Sequence, residues 1–324
     1  MPIESAPIRL QLPFSLERTT VNAYLCLEPE PTLIDTGDAS DETWRALVAG
    51  MAAHGVAVGD LRRVIITHTH IDHFGQAARL AQESDARFLV MDAGFTWLTD
   101  FTRQWQTRFD YYRDVFLPAT GLPVHERAGI LRFSQHVLET YRSVPVARVD
   151  CLHDEEEIDL GGALWTTLHV PGHASMLTAF YAPHTQTLLS ADMLLARTPT
   201  PVFEPPATSA RWGRPLPTFV RSLARIAALD VATVLPGHGA PFHNAAKVID
   251  YQQRRIATRK EECLGHVRAG VRTAFDIHQL MYPYPSPDVN MAELWMVVGY
   301  LDLLEEEGRI VRRTDGGLWL HEAV

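Results

Sequence analysis

Four side chains that can bind a metal lie within six positions of one another in the segment THTHIDHFG, residues 67–75. His68 and His70 are two residues apart, so in an extended segment their imidazoles lie on the same side and can reach one cation together. Asp72 and His73 follow the bend, at the start of the next helix, where they can bind a second cation beside the first. Packing and helix capping give no reason for such a cluster, so the segment predicts a metal site.

Three later segments could complete the coordination of both cations. His173 lies in HVPGHAS after a predicted strand, Asp192 in LLSADML at a strand end, and His238 in VLPGHGAP after another strand. Taken alone, each histidine is compatible with an ordinary surface position, and Asp192 with a helix N-cap. Because each of the three follows a strand, they can converge at one edge of a sheet, next to the histidine cluster.

The elements that must position these residues alternate between strand and helix, which predicts an α/β layered domain. The segments IRLQLPF, VNAYLCLE, TLIDTG, RRVIITH and RFLVMD are typical of strands, and ETWRALVAGMAAHG and GQAARLAQES of helices. Between about residues 94 and 146 the alternation gives way to two predicted helices, the first of them unusually aromatic. From about residue 158 the strand pattern returns.

The last part of the chain predicts a separate small module. A long polar helix is followed by the helical segments TAFDIHQLMYP and MAELWMVVGYLDLLEEEG and by RIVRRTDGGLWLHE, a hairpin with a glycine turn. This order of helices and hairpin resembles a winged-helix module. We therefore expect a main domain over residues 1–250, with a helical insertion at about 94–146, and a winged-helix-like domain over residues 251–324.

Composition excludes several classes of protein. The chain has 324 residues and a formal net charge of −10, which argues against nonspecific binding to nucleic acid or to an anionic membrane. No apolar run approaches the roughly 18 residues needed to span a bilayer, and the N-terminal segment lacks the pattern of a secretory signal. Cys26, Cys151 and Cys263 are far apart and form no CxxC pair. These features predict a cytoplasmic protein without disulfides and without a thiolate metal site.

The order HxHxDH, GH, Asp and GHG resembles that of the metallo-β-lactamase superfamily over roughly residues 8–245. The resemblance implies a four-layer αβ/βα sandwich with a binuclear metal site at one edge. It implies that the first cation is bound by His68, His70 and His173. It implies that the second is bound by Asp72, His73 and His238, and that Asp192 bridges the two. It also implies that Asp35, in LIDTG, orients ligand histidines. Ser175 could take such a role beside His173, where the chain lacks the threonine that many members have.

This ligand set indicates hydrolytic chemistry. Imidazoles and carboxylates without thiolates favour zinc at both positions, with iron or manganese as alternatives. Two such cations can share a bridging water, lower its pKa toward ~7 and so supply a hydroxide that attacks a carbonyl carbon or a phosphorus. We expect Asp72 to accept or shuttle the proton. The sequence thus predicts a hydrolase for a small ester or thioester, such as an acyl thioester or a lactone. A redox role is less expected, because His70 occupies the position where the flavin-linked di-iron branch has glutamate.

The aromatic side chains of the insertion have two interpretations. They could form a lid over the cations and line a pocket for an apolar acyl group. They could equally pack on one another and on the main domain as helical core, because their spacing is helical. The residues concerned are Phe95, Trp97, Phe101, Trp105, Phe109, Tyr111, Tyr112 and Phe116.

The C-terminal module supports an alternative function, cleavage of single-stranded RNA. A winged helix after this type of domain resembles the β-lactamase-like protein 2 branch, which includes a single-strand endoribonuclease. Basic residues that could bind RNA, or could form only a solvated helix surface, are Arg254, Arg255, Arg259, Lys260, Arg268, Arg272, Arg309, Arg312 and Arg313. Winged helices also serve as dimer interfaces or as covers for an active site, so a homodimer is a further expectation. A non-catalytic binding module is the third class, disfavoured because all seven ligand positions are present.

Overall fold

A computed structural model describes residues 6–14, 19–196, 214–283 and 290–324. Within these ranges two mixed β-sheets face each other. The first sheet has its strands in chain order: β1 (Ile8–Phe14), β2 (Thr19–Cys26), β3 (Thr32–Ile34), β4 (Arg63–Ile66), β5 (Arg87–Met91) and β6 (Val149–Leu152). The second sheet runs in reverse chain order: β11 (Thr233–Pro236), β10 (Thr187–Ala191), β9 (Thr178–Ala182), β8 (Ala163–His169) and β7 (Glu157–Leu160).

The direction of the strands decides where the loops meet. In the first sheet β3, β4, β5 and β6 pair in parallel, whereas β1 and β2 are antiparallel to their neighbours. In the second sheet β10 and β11 are parallel and the other pairs antiparallel. The segments after parallel strands therefore emerge at a common edge, which is where ligands bind in open α/β sheets.

Both faces of the central strands are buried. Adjacent residues of a strand point to opposite faces, and Leu188 and Leu189 of β10 belong to different clusters of buried side chains. The cluster between the sheets joins Tyr24 of the first sheet to Trp165 and Phe180 of the second. The central strands thus lie between two apolar layers, as their continuous apolar sequences require.

Helices cover the sheets and link the strands. They are α1 (Asp41–Ala52), α2 (Ile71–Phe74), α3 (Ala77–Glu83), α4 (Phe95–Thr99), α5 (Phe101–Tyr111), α6 (Leu117–Ala119), α7 (Val124–Thr140) and α8 (Pro215–Ala227). α1 packs on β1 and begins at Ser40, whose Oγ accepts a hydrogen bond from the Thr43 N–H at 3.2 Å, the usual satisfaction of a helix N-terminus. α8 buries Leu216, Phe219 and Leu223, which recur at the spacing of one helix face.

The insertion is more broken than the two predicted helices. α4 and α5 are separated at Asp100, whose φ of −140° and ψ of 45° lie outside the helical region. α5 then passes into a wider helical turn at Tyr112–Phe116 before α6. Wider turns of this kind recur at functional sites. The second predicted helix is α7, and its side chains are mostly exposed or half-buried.

The C-terminal segment contains α9 (Ala245–Arg268), α10 (Ala274–Met281), α11 (Met291–Glu306) and a hairpin of β12 (Ile310–Asp315) and β13 (Leu318–Ala323). Gly316 and Gly317 form the hairpin turn with φ values of 54° and 87°, which suit glycine at both positions. α9 runs through residue 250, and α11 packs on α8. The division at residue 250 and the winged-helix assignment both stay predictions.

All three cysteines are free thiols; Cys26 and Cys263 are buried and Cys151 is partly exposed. Burial raises the pKa of the Cys26 and Cys263 thiols to about 12, so both are protonated at neutral pH. Among the helices described, none has both the length and the apolar composition to cross a membrane.

Candidate metal centre

The candidate metal centre lies where the segments after β4, β8, β10 and β11 meet. The structure brings all seven predicted ligand side chains to this place. They form three overlapping groups, and in each group one ligand atom per residue lies within 4.8 Å of the others: His68, His70 and His173; His68, His73 and Asp192; and Asp72, His73 and His238. The first and third groups are the two triads expected for the two cations.

Asp192 lies between the two triads. Its Oδ2 atom is 3.4 Å from His173 Nε2 and 3.5 Å from His73 Nε2, and thus contacts one histidine of each triad. It is also 3.4 Å from His238 Nε2. Two zinc ligands at 2.0–2.1 Å in a tetrahedron stand about 3.3–3.4 Å apart. The separations are therefore long for hydrogen bonds and suited to neighbouring ligands of one cation.

Backbone geometry directs Asp192 into the centre. The pairing of β10 with β11 shifts register between Leu189 and Ala191, and Ala191 has a left-handed φ of 44°. The Gly237 N–H donates to the Ala191 carbonyl at 2.8 Å. A Cβ on Gly237 would overlap Asp192 Oδ1. The glycine before His238 is therefore required by the carboxylate beside it.

His173 is placed by a tight loop after β8. Gly172 has a φ of 138°, and a Cβ there would overlap the backbone of Phe219 in α8. The Ser222 hydroxyl of α8 donates to the Pro171 carbonyl at 2.7 Å. His169 Nε2 lies 2.8 Å from the carbonyl oxygen of Ser175, which fixes the far side of the loop. Ser175 is buried in this loop, and the role predicted for its side chain stays a prediction.

Asp35 is connected to two histidines of the centre, directly to His73 and through Thr67 to His68. It follows β3 with a left-handed φ of 60° and is buried. Its Oδ2 atom accepts from His73 Nδ1 at 2.9 Å and from the Thr67 hydroxyl at 2.7 Å. Since the Thr67 hydroxyl donates its proton to Asp35, the same hydroxyl oxygen accepts a hydrogen bond from His68 Nδ1, 3.1 Å away. Both histidines are thereby held with the proton on Nδ1 and with Nε2 directed to the centre.

His238 is held by β2. His238 Nδ1 donates to the Thr20 carbonyl at 2.9 Å, which directs Nε2 toward the other members of the centre. The Asn22 side chain donates to the carbonyls of Pro236 and Gly239 at 2.8 Å each, and the Tyr24 hydroxyl donates to Pro236 at 2.8 Å. The loop after β11 is therefore fixed on both sides of the histidine.

The buried polar atoms of the centre fit a divalent cation. His68 Nε2, His73 Nε2 and Asp192 Oδ1 are buried and make no hydrogen bond to any residue within the described ranges. Buried polar atoms in proteins are nearly always paired, so these three atoms need a partner that the described residues do not supply. Nitrogen and oxygen donors without sulfur are typical of zinc, iron or manganese.

The electrostatics of the centre divide its members into three classes. Burial and the charges of neighbouring histidines hold the pKa of His68 and His70 well below the usual value. Burial raises the pKa of Asp72 and Asp192, but His73 and His238 outweigh this and keep both pKa values below the usual one. Burial lowers the pKa of His73 and His238, but the same two carboxylates outweigh this and raise the values to about 10 and about 12. Since neutral imidazole and ionised carboxylate are the states that bind a cation, a cation at His73 and His238 would have to displace a proton from each.

The aromatic residues of the insertion pack in different ways. Phe101 is fully buried, and its ring centroid lies 4.8 Å from that of Phe74, the last residue of α2. Phe116 is also fully buried and contacts Trp319 of the C-terminal hairpin. Trp97, Trp105 and Tyr112 are nearly buried, whereas Phe95, Phe109 and Tyr111 are half-buried. Full burial indicates core packing for Phe101 and Phe116, and the lid stays a prediction for the others.

Sequence reasoning missed three residues that shape the centre. Thr67 connects Asp35 to His68, and Gly237 leaves room for Asp192. Arg108 is buried on α5, in line with the aromatic residues. A signal existed for Arg108, because a charged residue at a core-facing helical position is unusual. Gly237 belongs to the GHG motif, but its contact with Asp192, like the contact of Thr67 with Asp35, joins distant segments and has no local signal.

A family model and a known relative each match most of the chain. The family model of the metallo-β-lactamase superfamily matches residues 17–238. The chain is 29% identical over 314 residues to "Probable metallo-hydrolase YqjP" of Bacillus subtilis (strain 168), with 95% of this chain and 94% of the relative covered.

Two crystal structures resemble the whole chain. Metallo-β-lactamase family protein TTHA1429 from Thermus thermophilus has a TM-score of 0.79 at 23% identity, covering 98% of each chain. A β-lactamase domain protein from Burkholderia ambifaria has a TM-score of 0.80 at 22% identity, covering 99% of this chain and 94% of that one. These two likenesses show the fold. The α/β metallo-β-lactamase fold predicted from the sequence is confirmed, and the chain belongs to the metallo-β-lactamase superfamily of metal-dependent hydrolases.

Proposed function

We propose that this protein is a binuclear zinc hydrolase that cleaves a small ester or thioester, such as an acyl thioester or a lactone. The observation that carries the proposal is the position of Asp192 Oδ2, 3.4–3.5 Å from the Nε2 atoms of His73, His173 and His238. A single carboxylate oxygen that contacts both triads is suited to bridge two cations. We also propose the four-layer arrangement and the C-terminal winged helix implied by the resemblance.

The residues would hold the two cations as two triads and a bridge. His68, His70 and His173 would hold one, Asp72, His73 and His238 the other, with Asp192 shared. When bound, two divalent cations supply a Lewis acid for the scissile carbonyl and lower the pKa of a water. Iron or manganese would suit the same donors.

The side chains of the centre supply proton transfer and orientation. Asp72 Oδ2 lies 3.1 Å from His238 Nε2, and the two side chains are 12% and 26% exposed. We propose that the Asp72 carboxylate takes up the proton that water loses. Asp35 keeps His73 and, through Thr67, His68 in the tautomer that this chemistry needs.

An apolar acyl group suits the surroundings of the centre. α5 packs on α2, the helix that carries Asp72 and His73, through the contact between Phe101 and Phe74. Trp97 of α4 and Trp105 of α5 are each 7% exposed. In the proposed lid these large rings would provide apolar surface for a ligand. This supports an acyl substrate over a compact polar one.

RNA cleavage is the weaker candidate, because the basic residues of the C-terminal segment are mostly paired with carboxylates. Arg309 bonds Glu261 with its Nη2 atom at 2.8 Å, and Lys260 pairs with Glu307. Further pairs are Arg254–Asp250, Arg259–Glu262, Arg272–Glu322, Arg312–Asp302 and Arg313–Glu322. Paired charges leave little positive potential for phosphates.

The proposal is tested by thiol release from a panel of acyl thioesters, from short to long acyl chains, with zinc-loaded protein. We expect turnover by the wild type and none above background by Asp192→Asn. A panel of lactones and a single-stranded RNA are run in parallel. If zinc-loaded protein cleaves RNA and no ester, thioester or lactone, the proposed substrate class is wrong.

A further inference from the structure

One amide side chain occupies a place in β2 where an apolar one is expected. The strand has the sequence TTVNAYLC, and its last six residues are buried. Asn22 is only 1% exposed, although asparagine is depleted in strands and is costly to bury without hydrogen bonds. Strand propensity and packing both favour an apolar residue at this position. Asn22 therefore needs another explanation.

The segment after β11 cannot hold His238 in place by itself. His238 lies between Gly237 and Gly239, and glycine has the greatest backbone freedom of all residues. Gly237 has no room for a side chain, because a Cβ there would overlap Asp192 Oδ1. Gly239 has a left-handed φ of 81°, a conformation that favours glycine. The position of His238 is therefore set by contacts from outside this segment.

Asn22 donates three hydrogen bonds to this segment. Its backbone N–H donates to the Gly237 carbonyl at 2.7 Å. Its Nδ2 atom donates to the carbonyls of Pro236 and Gly239 at 2.8 Å each. Its Oδ1 atom is buried and accepts no hydrogen bond from the described residues. The amide side chain thus uses both of its donors on the segment, one on each side of His238.

The imidazole of His238 is held by the same strand. His238 Nδ1 donates at 2.9 Å to the carbonyl of Thr20, two residues before Asn22. The His238 side chain is 26% exposed, whereas those of His73 and His173 are 0% and 2% exposed. Packing therefore restricts His238 less than it restricts the other two histidines, and the hydrogen bonds from β2 matter more.

We propose that Asn22 is the positioning residue for His238, and that its side chain sets how tightly the cation bound by His238 is held. This inference rests on the proposed function, since it needs His238 to be a ligand. Without the two side-chain bonds, the segment 236–239 regains the freedom of its glycines. The entropy of fixing His238 must then be lost when the cation binds, which weakens binding. The cation of the other triad depends on none of these bonds.

The inference is tested with Asn22→Val, which suits a buried strand position and removes both side-chain donors, and with Asn22→Ala as a second variant. Zinc affinity is measured by competition against a chromophoric chelator, and the number of bound zinc ions by native mass spectrometry. Thr32→Val is the matched control. Thr32 is also a buried polar residue of the first sheet, and its hydroxyl donates to the Glu30 carbonyl at 3.0 Å. It begins β3, whereas the centre lies past the other end of that strand.

We expect both Asn22 variants to bind one zinc ion as tightly as the wild type and the other about 10–100-fold more weakly, the range for outer partners of a metal site. Thr32→Val should lower the free energy of unfolding and leave both affinities unchanged. A double-mutant cycle with His238→Ala separates positioning from general stability. In the His238→Ala background, Asn22→Val should weaken zinc binding no further. Unchanged affinities in folded Asn22→Val, or an equal loss with and without His238, would overturn the inference.

The hydrogen bonds of Asn22 are also tested in the wild type without zinc. The chain has three asparagines, and the other two, Asn244 and Asn290, are exposed. In NMR spectra of protein with isotope-labelled asparagine, one side-chain amide should exchange its protons with water far more slowly than the other two. Fast exchange of all three would overturn the inference. If the wild type bound a single zinc ion, the binuclear function would be wrong, whereas the cycle with His238→Ala would still report on Asn22.

Discussion

Replacement of Asp35 by asparagine should weaken zinc binding without removing any ligand. In the wild type Asp35 accepts three hydrogen bonds, from the Thr67 N–H at 2.8 Å, the Thr67 hydroxyl at 2.7 Å and His73 Nδ1 at 2.9 Å. An asparagine can still accept the first bond. Its amide nitrogen would replace Oδ2 and cannot accept the other two. His73 would then be favoured in the wrong tautomer, with the proton on its ligand atom.

The size of the effect follows from the contacts. Loss of a group that orients a ligand histidine costs about 10–100-fold in metal affinity. His73 contacts Asp35 directly, so we expect about 100-fold, or ~2.7 kcal/mol, at the cation it serves. His68 is reached only through Thr67, so the other cation should lose about 10-fold, or ~1.4 kcal/mol. Asparagine tolerates the left-handed φ of 60° at this position, so backbone strain adds little.

The assay is competition for zinc against a chromophoric chelator, with thermal unfolding of the metal-free proteins to check folding. Asp38→Asn is the matched control, because Asp38 is also buried but accepts from the Ser40 N–H and hydroxyl, where α1 begins. It should leave zinc affinity unchanged. If folded Asp35→Asn bound both zinc ions as tightly as the wild type, the orienting role of Asp35 would be refuted.

Two further predictions concern the space beside Asp192 and the charge of Asp302. Gly237→Ala places a Cβ against Asp192 Oδ1, so we expect the zinc content, measured by mass spectrometry, to fall. Gly265→Ala is the control, because a Cβ there meets nothing within 4 Å, and it should leave the zinc content unchanged. Burial raises the pKa of Asp302 from 3.8 to about 7. The charged groups that face it are Arg214 and Arg312, which lower the pKa, and Glu305 and Glu306, which raise it. Because folded Asp302 holds its proton more tightly than unfolded, its contribution to stability is complete below pH ~4 and is lost as the pH rises through about 7. Relative to Asp302→Asn, the wild type should lose on the order of 4 kcal/mol by pH 8, measured by urea unfolding.

The sequence predicted which side chains would meet because their chemistry is unusual. Four side chains of ligand type lie in the segment 67–75, where packing gives no reason for them, and three more follow strands. The strand–helix alternation likewise predicted that the loops would meet at one edge, and the structure brings all seven side chains together. Local patterns carry this information because ligand type and strand position are both local properties.

The sequence did not predict the structural features that depend on contacts between distant segments. The left-handed φ of Asp35 and of Ala191 follows from how each strand ends against its neighbours. The insertion breaks at Asp100 and widens after α5. In the wide turn, Tyr112 contacts Trp295 and Phe116 contacts Trp319, both in the C-terminal segment. Helical periodicity alone predicted one continuous helix there, since each half keeps the same inward spacing.

The measurement that tests the central claim most directly is a crystal structure of zinc-loaded protein with anomalous difference maps collected at the zinc edge. We predict two peaks about 3.5–4 Å apart, one on each side of Asp192 Oδ2, and the loss of at least one of them in Asp192→Asn. A single peak in the wild type, or two peaks that Asp192 does not contact, would contradict the account of a bridged two-cation centre.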